Sequence, residues 1–152
     1  MVKKHYLKLE YESPFRVMGV FCPQKDYRFC WNLNQSLETD LKRLPDFSYT
    51  PHNLEQKDLF SVYHYAKPQL RLAYYLISNK GQNGRLFAEP KNLDFILLLK
   101  NPGGHLDPDA LIRKIRNTSM VQAAFFLDDK LGKRANTFFY DFEMYLSETP
   151  KS

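Results

Sequence analysis

The stretch RLFAEPKNLDFILLLK, Arg85 to Lys100, decides the fold. Its second half is apolar at both parities, with Leu93, Phe95, Leu97 and Leu99 on one side and Ile96 and Leu98 on the other. A strand with one wet face would alternate apolar and polar residues. One that is apolar on both faces is covered on both and lies centrally in its sheet. Two carboxylates, Glu89 and Asp94, stand at or just ahead of this run. They are either a catalytic pair or two side chains that fix a turn.

Upstream, Asp58–Ala66 and Leu70–Asn79 read as strands joined across Lys67-Pro68-Gln69, a gap short enough for a hairpin. Lys80–Gly84 reads as a second turn and Arg85–Ala88 as a further strand. Near the N-terminus, Lys4–Tyr11 alternates with period two, as a strand does. Phe15–Phe21 is apolar but contains Gly19, and reads as a short strand or a packed connection. Pro23 opens a helix spanning about Gln24 to Leu44, with Tyr27, Cys30, Trp31, Asn34, Leu37 and Leu41 on one face. Pro45 ends it, and Pro45–Asn53 is loop-like. Asn34 is the polar member of that face, and a bond to a neighbouring loop would satisfy it.

Downstream, Gly103 and Gly104 make a turn, Asp107 caps a helix, and Pro108 is its first residue. Leu111, Ile112 and Ile115 supply the stripe of this short helix. Met120–Leu127 suits either a helix or a strand. A strand is chosen because Ala135–Leu146 also alternates and the residues between can turn. Runs of strands separated by two principal helices predict an α+β fold with a mainly antiparallel sheet of about five to seven strands. The 152 residues make one globular domain, with the last few residues at the C-terminus disordered.

Composition narrows the function. Charged residues are 26% and apolar ones 43%, values of an ordinary soluble domain. Aromatic residues reach 15%, which calls for a large core or an interface. The net charge of +5 permits an anionic partner without demanding one. Its densest basic stretch holds Arg113, Lys114, Arg116, Lys130, Lys133 and Arg134, candidate contacts to an anion. Two cysteines, Cys22 and Cys30, give no disulfide framework and no CxxC. No apolar run approaches the roughly 20 residues of a membrane span, and the N-terminal segment has no secretory h-region. The expectation is a cytoplasmic protein without membrane contact.

Most catalytic chemistries lack their residues. The four histidines, His5, His52, His64 and His105, show no HxxxH or HxH spacing, so neither a metal nor a cofactor is expected. Cys30 reads as core, whereas Cys22 lies ahead of a helix N-terminus that could lower its pKa. The turn Asn101–Asp109 lacks the phosphate-loop patterns, and Asp107 would repel an anion there. Glu89 and Asp94 would stand about 17 Å apart on an extended chain, so a catalytic pair needs a turn at Pro90-Lys91-Asn92. The alternative is a clasp in which Asp94 ties down that turn and Glu89 anchors its other side.

Phe87-Ala88-Glu89, then three residues, then Leu93-Asp94-Phe95 resembles the signature of the IPExxxVDY family, small uncharacterised bacterial proteins. Spacing and both acids match, whereas the four apolar or aromatic positions differ. Lys25–Leu37, with its Cys-Trp pair, and Tyr74–Asn79 are similar to other segments of that family. The resemblance implies a fold and a shared site but no reaction. The expected function is a non-enzymatic scaffold or protein-interaction domain, binding a protein partner or a second copy as a homodimer. The alternatives are a basic nucleic-acid-binding module and, behind it, a hydrolase using Glu89 and Asp94.

Overall fold

The computed structural model describes residues 14–51, 56–128, 130–131 and 134–149, apart from the Arg134 side chain. The expected strand at Lys4–Tyr11 and the expected disorder after residue 149 lie outside the described residues. Within them is an antiparallel sheet of six strands with three helices. In chain order these are β1 (Phe15–Phe21), α1 (Asp26–Leu37), β2 (Lys42–Tyr49), β3 (Asp58–Lys67), β4 (Leu72–Ser78), β5 (Phe95–Lys100), α2 (Pro108–Arg116), β6 (Ala123–Phe126) and α3 (Arg134–Glu148). The spatial order is β2-β3-β4-β5-β1-β6.

β5 is an inner strand between β4 and β1, and Phe95 to Leu99 are all buried. Its Ile96 and Leu98 join one core with Tyr75, Ile77 and the α3 residues Phe138, Phe142 and Leu146. Its Phe95, Leu97 and Leu99 join the other core with Phe29 and Leu33 of α1 and Ile112 and Ile115 of α2. The sheet is thus a middle layer, with α1 and α2 on one face and α3 on the other. Phe15–Phe21 is a strand after all, and Leu127 and Leu93 occupy the space a side chain at Gly19 would need. The β3–β4 hairpin forms as expected, turning through a short 3₁₀ segment at Pro68–Leu70. Asp107 caps α2 through the Asp109 N–H, with Pro108 in the first turn.

Four expectations are corrected. The first helix stops at Leu37 instead of Leu44, because Glu38 adopts a left-handed backbone at φ 56°. The Asn34 side chain fixes that exit: its oxygen accepts from the Leu41 N–H at 2.8 Å and the Thr39 hydroxyl at 2.9 Å. Lys42–Tyr49, including Pro45, is the edge strand β2, and a bulge between Leu44 and Phe47 accommodates the proline. Arg85–Ala88 forms only an isolated bridge, Lys80 to Arg85.

The fourth correction is larger: Ala135–Leu146, expected as a strand, lies in α3. Ala135, Phe138, Phe139, Phe142 and Leu146 also fit a 3.6-residue period, and together they bury the second face of the sheet. Without them that face would expose Phe47, Phe60, Val62 and Tyr75. Phe142 meets Phe47 edge-on at 5.3 Å and Tyr75 at 5.5 Å, and Phe138 packs on Phe87 at 5.1 Å. The aromatic excess is therefore largely a core beneath α3. Among described aromatics, Tyr27, Trp31 and Tyr140 are the large exposed ones.

Candidate functional site

The connection from β4 to β5 builds the site. Asn79, fully buried at the end of β4, is its hub. Its side-chain amide donates to Phe87 C=O at 3.0 Å and Leu93 C=O at 2.9 Å, and its oxygen accepts from the Phe87 N–H at 2.8 Å. Arg85 adds a second donor to Leu93 C=O at 2.7 Å. Asp94 then opens β5: one carboxylate oxygen accepts from the Cys22 N–H at 2.8 Å, and the other pairs with Lys80 Nζ at 2.8 Å. Asp94 therefore joins the end of β1 to the loop after β4.

That is a different arrangement from a clasp on Pro90–Asn92. The turn is closed by its own backbone, Leu93 N–H to Pro90 C=O at 3.3 Å, with Asn92 left-handed at φ 66° and a cis Glu89–Pro90 peptide. Glu89 is exposed and has no hydrogen bond or ion pair to any described residue. Asp94 lines the groove described below, and Glu89 does not. Of the other signature residues, Leu93 and Phe95 are buried, Phe87 is half-buried and Ala88 is exposed.

A carboxylate with no local sequence signal does more structural work. Asp58, buried at the start of β3, accepts from four backbone N–H groups: Leu59 at 2.8 Å, Gln82 and Asn83 at 2.9 Å, and Gly84 at 3.0 Å. Burial alone would raise its pKa, but these donors outweigh burial and hold it below the usual carboxylate range. Gly81 is required by this close approach, since a Cβ there would fall 2.4 Å from Asp58 Oδ2. Only the turn signal in Lys80–Gly84 was legible. Its anchor lies more than twenty residues away.

Beside Asp94 opens a groove of about 650 Å³, where α1 begins over the ends of β3, β4 and β5. Its walls carry Lys25, Arg43 and Lys80 against Asp26, Asp46 and Asp94. Arg43 pairs with Asp46 and lies 3.9 Å from Asp26, so each acid has a cationic neighbour. Burial pushes the Asp26 carboxyl up, but the Tyr27 N–H and Arg43 are among the neighbours that bring it below its ordinary value. It is an anion at neutral pH and a weak base. Cys22 sits behind the groove, its thiol pushed up to about 11 by burial and then by Asp94, opposite to the lowering expected from the helix start. No described histidine or cysteine lines the groove. It can bind through hydrogen bonds and charge.

On the outer side of α1, Tyr27 and Trp31 are 63% and 60% exposed, with exposed Arg28 between them, and the three line a shallow depression. This corrects their placement on the apolar stripe, which is Phe29, Cys30, Leu33 and Leu37. Cys30 is core, its thiol pushed up to about 12 by burial and then by Asp26 and Asp40. The four described basic candidates do not form one patch. Arg113 and Lys114 are exposed on α2, while the Arg116 Nε–H is spent on Ala124 C=O at 2.8 Å. Lys130 stands over the Phe125 ring, against the α3-side core. Lys133 and the Arg134 side chain lie outside the described residues.

His64 stacks on Tyr75 in the sheet, and His105 lies in the turn ahead of α2. Among the described residues no cluster of three or more His, Cys, Asp or Glu could hold a metal, and no helix is long and apolar enough to cross a membrane. No family model, curated protein or solved structure matches the chain.

Proposed function

We propose that the protein is a non-enzymatic, cytoplasmic scaffold or protein-interaction module, and that the outer side of α1 is its partner surface. The carrying observation is that Tyr27, Arg28 and Trp31 are exposed together on a helix whose opposite side is fully packed. Trp, Tyr and Arg are the residue types that most often dominate interface energy. The charge-balanced groove at the start of the same helix offers polar rim contacts.

Size-exclusion chromatography with light scattering, across concentrations, tests self-association. A titration with a purified partner tests the alternative. Tyr27→Ala with Trp31→Ala should abolish the association while moving stability by no more than about 0.5 kcal/mol, since both side chains are exposed. A strictly monomeric protein with no partner, or a double variant that associates normally, would defeat the proposal.

A second reading is single-stranded nucleic acid, favoured by a cation between two exposed rings and by Arg113 and Lys114 on the neighbouring helix. It requires affinity that falls with salt, and the absence of binding at low salt removes it. A hydrolase using Glu89 and Asp94 has less support, because Glu89 stands outside the groove. Kinship with the IPExxxVDY group is likewise a proposal, resting on the spacing of Phe87 to Phe95.

A further inference from the structure

Asn83-Gly84 is the only asparagine followed by glycine in the chain. That pair is chemically labile. The glycine backbone nitrogen can attack Cγ of the asparagine amide, because no Cβ obstructs it. A C–N bond forms to close a succinimide ring, the bond from Cγ to the side-chain nitrogen breaks, and ammonia leaves with the proton given up by the glycine nitrogen. Water then opens the ring at either carbonyl, leaving aspartate or isoaspartate. No electrons are transferred, and water is the only co-reactant.

Asn83 is exposed, so water reaches its amide. What differs from a free loop is the state of the attacking nitrogen. The Gly84 N–H donates to Asp58 Oδ2 at 3.0 Å, and the Asn83 N–H donates to the same oxygen at 2.9 Å. Gln82 N–H binds the other oxygen at 2.9 Å, so three successive amides are held on one buried carboxylate. Taking the proton from Gly84 would set an amide anion against that carboxylate and break a charge-assisted bond. The same bonds stop the backbone turning Gly84 toward the Asn83 side chain.

We infer that Asn83 is a deamidation site that the Asp58 carboxylate keeps closed in the folded protein. The product would add a carboxylate to the residue whose N–H Asp58 binds. In its isoaspartyl form it would also lengthen the backbone inside the cradle. Once begun, the reaction undoes the loop that restrained it, so modified Asn83 records time spent open.

The test is incubation of the full chain at mildly alkaline pH, with peptide mass spectrometry and enzymatic isoaspartate methylation at Asn83. Urea-unfolded wild type gives the unrestrained rate. Native wild type should be slower by at least about tenfold, the factor that loss of one charge-assisted hydrogen bond would supply. Folded Asp58→Asn should approach the unrestrained rate. So should Gly81→Ala, which displaces the carboxylate while leaving it charged. Native wild type reacting as fast as the unfolded chain overturns the inference, as does a folded Asp58→Asn that stays slow. If Asp58→Asn does not fold, Gly81→Ala with native circular dichroism decides: fast supports the inference and slow overturns it.

Discussion

Replacing Asn79 by alanine should cost about 3 kcal/mol, a large share of the roughly 5–15 kcal/mol that holds a domain together. The side chain makes three hydrogen bonds, but they are not equal in consequence. Leu93 C=O keeps its bond from Arg85. The N–H and C=O of Phe87 both lose the Asn79 partner, and an orphaned backbone group costs about 1–3 kcal/mol when buried. Phe87 is half-buried, so water offsets part of the loss and places the sum in the lower half of that range doubled. The corresponding fall in Tm is roughly 6–12 °C. Urea unfolding should be followed by circular dichroism, because the exposed Trp31 is a poor reporter. The midpoint should fall with the slope unchanged. Ser78→Ala, which removes an exposed bond to Lys80 C=O, serves as the control and should stay within about 0.5 kcal/mol. A loss below about 1 kcal/mol for Asn79→Ala would refute the hub. Asn79→Asp should fare worse as pH rises, since its carboxylate would face the carbonyls of Phe87 and Leu93.

Asp58 sets an acid limit. Its pKa is lower folded than unfolded, so its contribution is complete above the unfolded value of about 3.9 and is lost as pH falls through the folded one. The stability gap between wild type and Asp58→Asn, measured by urea titration, should therefore narrow below about pH 4. Phe142→Ala, at a fully buried ring meeting Phe47 and Tyr75, should cost about 3–5 kcal/mol in the same assay. Cys22 and Cys30, buried and with thiols at about 11 and about 12, should react with a thiol reagent at neutral pH only as fast as the chain opens.

The elements read correctly from sequence are those whose pattern excludes alternatives. β5 is apolar at both parities, the β3–β4 hairpin has a short connection, and Asp107-Pro108 is a start signal with one mechanism. α3 was misread because Phe138, Phe142 and Leu146, spaced by four, satisfy both periods over a short window. Only the sheet face needing cover chooses between them. α1 was overrun because Pro45 looked like its stop, while the real exit depends on Asn34 bonding residues beyond the helix. At the site, Asp94 was placed correctly at the start of a buried strand, but its partners Cys22 and Lys80 are distant in sequence. Asp58 was missed for the same reason. The groove was equally illegible, since its walls come from five separate segments.

The two margins of the sheet bear on how copies of this protein could meet. Along β2, Pro45 has no N–H to offer, the bulge bends the strand, and the Tyr145 hydroxyl occupies Pro45 C=O. Along β6 there are only four residues, and Arg116 occupies Ala124 C=O. Among the described residues, neither margin is a long, flat row of unpaired amides that could template a strand from another chain. Filament growth by strand addition is thereby discouraged at both ends.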